Sequence, residues 1–225
     1  MRSTCALISQ YIRLKFIMKN FDTNSLRSPK AFLKKISKQA NLPEALERRR
    51  NIVEQMSELN SKGLDCFNCS GMCCTHQYNS MQVDPVQALE LLAWLESEGR
   101  LNEDLIEDLE EVILEYRLNK DFMIGRNREF RRKYTCPFFM KMTQGCSISR
   151  AVKPYGCLAF NPLEKNVSTE GKCASNLDVL IERESRNSEV EDKANELISK
   201  ELGLYWKKKS MPFAIQEIIK GLLKP

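Results

Sequence analysis

A mainly α-helical protein with a loop-rich, cysteine-coordinated centre is the fold class this sequence predicts, and three observations predict it. Apolar residues recur at three- and four-residue spacing in several capped stretches. No convincing run of alternating polar and apolar residues marks a strand. Eight of the nine cysteines fall between Cys66 and Cys173, in parts without helical periodicity, and only Cys5 lies apart.

The elements follow in chain order. Ser28-Pro29 opens a short helix, with proline at the first helical position and Phe32, Leu33 and Ile36 on one side. A charge-rich second helix runs from about Pro43 to Asn60 and is stopped by Gly63. Asp84-Pro85 starts a third, on which Val86, Leu89, Leu92, Ala93 and Leu95 recur at helical spacing up to Gly99. The fourth begins after Asn102, carries Leu105, Leu109, Val112, Ile113 and Tyr116 on one stripe, and ends by Gly125. Helical patterns return over 177–184, 189–202 and 213–223. This divides the chain into an N-terminal helical extension (1–60), a cysteine-cluster domain with a central helical pair (61–175) and a C-terminal helical segment (176–225). The central pair, folding back through Gly99–Asn102, is expected to bring the cysteines before and after it together.

Bulk properties bound the function classes. A chain of 225 residues buries a real core without staples. A net charge of +5 with both signs mixed only mildly favours an anionic partner. The first twenty residues are apolar but interrupted by Gln10, Arg13 and Lys15, with no small-residue cleavage site. No segment approaches the about 20 apolar residues of a membrane span. A reducing cytosol is therefore the expected compartment, and Met18 opens a second candidate start.

The cysteines form two groups: Cys66, Cys69, Cys73 and Cys74, then Cys136, Cys146, Cys157 and Cys173. A Cys-x-x-Cys turn aims two thiolates at one point, as zinc and iron–sulfur sites require. If the chain is extended at Cys73-Cys74, the two side chains diverge and one ion is not expected to take both. Four disulfides at about 2–4 kcal/mol each compare with about 10–16 kcal/mol for one structural zinc. Either rivals the about 5–15 kcal/mol net stability of a domain, so energy does not choose between them. Compartment does, because cytosolic thiols stay reduced. Metal or cluster binding is the leading reading, ahead of disulfides and unrelated buried thiols.

The second group reads Cys136-Pro137-Phe138, Gly145-Cys146-Ser147-Ile148, then Pro154, Cys157 and Phe160. With the opening four cysteines, this resembles the YkgJ-type cysteine-cluster proteins, the CxxCxxCC zinc- or iron-chelating family, with flagellin N-methylase-like relatives. The likeness covers Cys66 to Cys173, and it implies a chelated zinc or iron, the latter also as an iron–sulfur cluster. Three departures stand out. Ser70-Gly71-Met72 places three residues where the family has two, and Lys153 and Leu158 replace arginines.

The expected ligands are Cys66, Cys69, Cys136 and Cys146 first, then Cys73, Cys74, Cys157 and Cys173. His76 is more simply a loop side chain than a ligand. The basic run Arg126, Arg128, Arg131, Arg132 and Lys133 reads as a solvated helix end, with a nucleic-acid surface the minor alternative. Arg48–Arg50 and Lys207–Lys209 read as exposed faces, and Trp206 and Phe213 as packing residues. Enzyme classes narrow quickly. The nine glycines include no Gly-x-Gly for a dinucleotide turn. The radical-enzyme gap order is reversed, and a lone histidine is a poor hydrolase base. An iron–sulfur enzyme resembling flagellin lysine N-methylase remains the alternative to a chelating protein. The expected partner is a metal ion, with room for a protein; neither nucleic acid nor a membrane is expected.

Overall fold

The computed structural model describes residues 26–64, 71–120, 123–124, 128–129, 131–141, 145–165 and 173–223. Helices dominate. In chain order they are α1 (Pro29–Ala40), α2 (Ala45–Ser61), α3 (Pro85–Ser97), α4 (Glu103–Glu115), the single turn α5 (Tyr155–Leu158), α6 (Leu177–Leu202) and α7 (Met211–Leu222). The strands are two or three residues long: β1 (Gln82–Val83), β2 (Met123–Ile124), β3 (Arg128–Glu129), β4 (Phe160–Pro162), β5 (Cys173–Ser175) and β6 (Lys209–Ser210). They pair antiparallel as β1–β6, β2–β3 and β4–β5. No described helix is long and apolar enough to cross a membrane.

Caps set the helix starts where the sequence places them. Ser28 accepts from the Ala31 amide ahead of Pro29. Asp84 accepts from Gln87 at 2.9 Å and Asn102 from Leu105 at 3.1 Å, each supplying a partner to an otherwise orphaned amide. Two boundaries depart from expectation. The fourth helix stops at Glu115, well short of Gly125, so of the basic run Arg128 stands on β3, 131–133 lie outside any helix, and Arg126 lies outside the described residues. The patterns over 177–184 and 189–202 are one continuous helix, since 177–202 contains neither proline nor glycine to break it.

α3 is buried on almost every side, as a central helix must be. Its Leu89, Leu92 and Leu95 join Phe32 and Ile36 of α1, Ile198 of α6, and Ile215 and Ile218 of α7 in one core. That core draws on the first, middle and last parts of the chain alike. The central pair does not fold back on itself as a hairpin: α3 and α4 each pack on α7 instead. Trp206 packs against this core, and Phe213 against Ile113, Leu118 and Tyr134.

The second binding agent is ionic. Arg48 and Arg49 of α2, placed on an exposed face by their sequence neighbours, are 3% and 0% exposed, whereas Arg50 faces solvent. Arg48 pairs with Glu90 of α3 and Glu191 of α6, and Arg183 pairs with Glu191. Arg49 Nη2 lies 2.8 Å from Glu90 Oε2. The Tyr155 hydroxyl accepts from Arg48 and donates to Glu191 at 2.6 Å. The partners sit on helices remote in sequence, so nothing in the local charge pattern announces them. Lys207 and Lys208 are exposed as expected.

Removing Glu191 from this network leaves Arg183 without a carboxylate and Arg48 with Glu90 alone. Glu191→Ala is expected to cost about 3–5 kcal/mol, read as a lowered urea midpoint in equilibrium unfolding.

Candidate metal centre

A short ladder joins the two cysteine groups. The amide of Cys136 donates to the Cys74 carbonyl at 2.8 Å, and that of Tyr134 to Asn79 at 3.0 Å. Between them the His76 amide donates to Thr135 Oγ1 at 3.3 Å, and Lys133 Nζ to the Gln77 carbonyl at 2.7 Å. Tyr134 is fully buried and its hydroxyl donates to the Met81 carbonyl at 2.7 Å, which pins the ladder to β1. These hydrogen bonds, two of them between main chains, bring the groups together where a helical hairpin does not.

The first group enters on a 3₁₀ turn, Met72–Cys74, behind Gly71. The second is shaped by a bridge between Phe139 and Cys146, with Met140 donating to Gly145 at 3.2 Å and Ser147 to Phe138 at 3.0 Å. Phe138 and Ile148 plug that loop into the main core. Cys157 rides on α5, which Tyr155 and Leu158 anchor against Ile52 and Met56 of α2. Cys173 stands on β5, paired with Pro162. Cys66 and Cys69 lie outside the described residues.

Because Cys73 and Cys74 sit on a 3₁₀ turn, the extended chain that would have split them does not occur. Cys74 lines one cavity together with Cys73, Cys136 and Cys146. Hydrogen bonds to those three thiols, with burial, drive its own pKa far up. Cys73 and Cys146 move the other way. Cys146 is lowered to about 5 and Cys73 to about 7, first by the Cys74 hydrogen bond and, against burial, by the Lys153 ammonium. Burial pushes the Cys157 thiol well above its ordinary value, with Lys153 opposing. Two sulfurs are thus biased toward thiolate, the form that ligates metals.

The six described cysteines are not disulfide-bonded. No three Cys, His, Asp or Glu side chains among the described residues are spaced to enclose a metal ion. Two of the expected ligands, Cys66 and Cys69, are outside the described set. The donor chemistry, soft thiolates with a neighbouring cation, suits zinc and iron. His76 stacks on Tyr116, ring centroids 6.4 Å apart, and is not among the cavity-lining residues. Of the basic run, Arg132 donates to the Tyr116 carbonyl at 2.8 Å and Lys133 belongs to the ladder, so both hold structure.

An open cavity of about 960 Å³ is lined by Cys73, Cys74, Cys136, Cys146 and Cys157. Lys153, Tyr155, the 177–199 stretch of α6 and the 204–208 segment complete it. Spacing gave no notice of Tyr155, Arg183 or Glu191 in this wall. The proline after Lys153 and the glycine before Cys157 mark the loop but not its neighbours.

Gly71 is where the loops meet. Its φ is +79°, and a Cβ there would lie 2.7 Å from Gly145 Cα and 2.9 Å from the Phe139 ring. Gly99 has a similar φ of +66° but open space around it. Alanine at either position carries a left-handed backbone cost of about 1–2 kcal/mol. Gly71→Ala is expected to destabilise measurably more than Gly99→Ala in parallel urea titrations, and equal losses would contradict the close approach.

No protein-family model, curated protein or solved structure matches this chain, so the likeness to the YkgJ-type proteins rests on its cysteine pattern.

Proposed function

We propose that this protein chelates zinc or iron, the latter as an ion or an iron–sulfur cluster, through its clustered thiolates. The observation that carries this reading is that Cys73, Cys74, Cys136 and Cys146, drawn from two groups far apart in sequence, line one cavity, with the Cys136 amide bonded to the Cys74 carbonyl. Cys157 shares their cavity, and Cys66, Cys69 and Cys173 extend the donor set. Thiols packed in this way repel as thiolates, and a bound cation removes that repulsion while releasing their protons. Lys153 offsets part of the remaining negative charge. The resident group would supply either a structural clamp, if its coordination is closed by protein, or a Lewis-acid or electron-transfer centre if it is open.

The test is anaerobic purification of native protein with elemental analysis and a visible spectrum. Zinc or iron at stoichiometric level is expected, with thiolate-to-iron absorption if the metal is iron. Cys74→Ser and Cys146→Ser should each lower the metal content well below that of Cys5→Ser. Protein that carries no zinc and no iron would end the proposal.

A second reading, an iron–sulfur enzyme of the kind that flagellin lysine N-methylase represents, is favoured by the cavity alongside the thiols. A colourless protein with a closed zinc site would exclude it.

Chelation of the metal has a structural consequence of its own. The helical core is closed by apolar contacts among α1, α3, α6 and α7. Stripping the metal should therefore raise proteolysis within 66–173 while far-ultraviolet helical signal changes little.

A further inference from the structure

We infer that Arg49 is a positioning residue for the thiolate centre, acting on the main chain that carries Lys153 and Cys157. This rests on the metal-binding reading above. Arg49 is fully buried on α2, and its guanidinium does not end at an ion pair. Nε donates to the Lys153 carbonyl at 2.8 Å, and Nη2 approaches the Val152 carbonyl at 3.4 Å. Nη1 donates to Ala45 at 2.9 Å, which ties the same fork back to its own helix. The guanidinium carbon also lies 4.5 Å from the centroid of the Tyr155 ring, and that of Arg183 lies 3.5 Å from it.

The chain held by this fork is short and chemically loaded. Lys153 lines the same cavity as Cys73, Cys146 and Cys157, and its ammonium favours the thiolate form of all three. Tyr155 opens α5, whose third residue is Cys157. Its amide donates to Gln87 Oε1 at 3.1 Å, so α3 holds the turn from a second side. A planar fork with fixed donors can grip two successive carbonyls; a lysine at the same site offers a point charge and cannot. Beyond its ion pair with Glu90, the fork directs donors to 152–153, the main chain from which Lys153 reaches the cavity lined by the cysteines.

Cobalt(II) is a suitable probe, because its thiolate charge-transfer absorption reports how many sulfurs ligate and how they are arranged. Full-length protein would be stripped and titrated anaerobically with cobalt as wild type, Arg49→Met, Arg49→Lys and Ile198→Ala. Ile198 is fully buried in the main core and serves as a stability control. Both Arg49 variants are expected to bind cobalt at least tenfold more weakly, with weaker charge-transfer absorption per bound cobalt. Ile198→Ala should retain the wild-type spectrum and affinity despite its lower melting temperature. If folded Arg49→Lys matches wild type, or Ile198→Ala weakens cobalt binding as much, the positioning role is wrong. Failure of Arg49→Lys to fold would make Arg49 a stability residue only and overturn the role too. A wild type that takes up no cobalt through thiolates would bring down the metal-binding reading itself, and this role with it.

Discussion

Three guanidiniums and two carboxylates buried together are the constraint on which this fold turns. Arg48, Arg49 and Arg183 leave one positive charge uncompensated by Glu90 and Glu191, and burial lowers the Arg49 pKa only to about 10, so the charge persists at neutral pH. Taking five charges out of water is costly, and apolar packing of the same volume is often as stable. What such a network supplies is geometry. It fixes α2, α3 and α6 relative to one another through directional contacts that greasy surfaces, free to slide, do not impose. The tyrosine at its centre begins the turn that bears Cys157, and so the angular relation of three helices is handed on to the thiols.

Around this fixed point the two kinds of packing divide the work. Leucine and isoleucine faces on α1, α3, α6 and α7 exclude water and supply the bulk of the stability. The cysteine loops contribute Phe138, Ile148 and Val152 to that core and Tyr155 and Leu158 to a smaller one. They are held also by main-chain hydrogen bonds, the Cys74–Cys136 contact foremost.

Legibility in the sequence followed the range of the interaction. Ser28-Pro29, Asp84-Pro85 and Asn102 announce helix starts because a cap and its amide lie three residues apart. The absence of proline and glycine over 177–202 was equally open to inspection, although Arg186, Asn187 and Ser188 obscured it by interrupting the apolar period. The cysteines could be grouped from their spacing, and their convergence anticipated, but not the route. α3 and α4 do not form the hairpin, and a backbone ladder does the joining. The burial of Arg48 and Arg49 had no local signature, since three consecutive arginines on a charge-rich helix look solvated until Glu90 and Glu191 arrive from elsewhere. Lys153 could be seen as a departure from a family pattern, while its place among the thiols depended on contacts made by a helix a hundred residues upstream.

The distance between Arg48 and its partners bears on how the protein comes into being. Glu90 lies 42 residues downstream and Glu191 lies 143. During synthesis every cysteine leaves the ribosome before Glu191 does, so the thiols are in the cell's solvent before the helix that fixes their turn exists. The nascent chain must pass through an interval in which reduced thiols are present without their frame. Its folding therefore depends on what befalls unframed thiols during translation, as well as on the equilibrium stability of the finished fold.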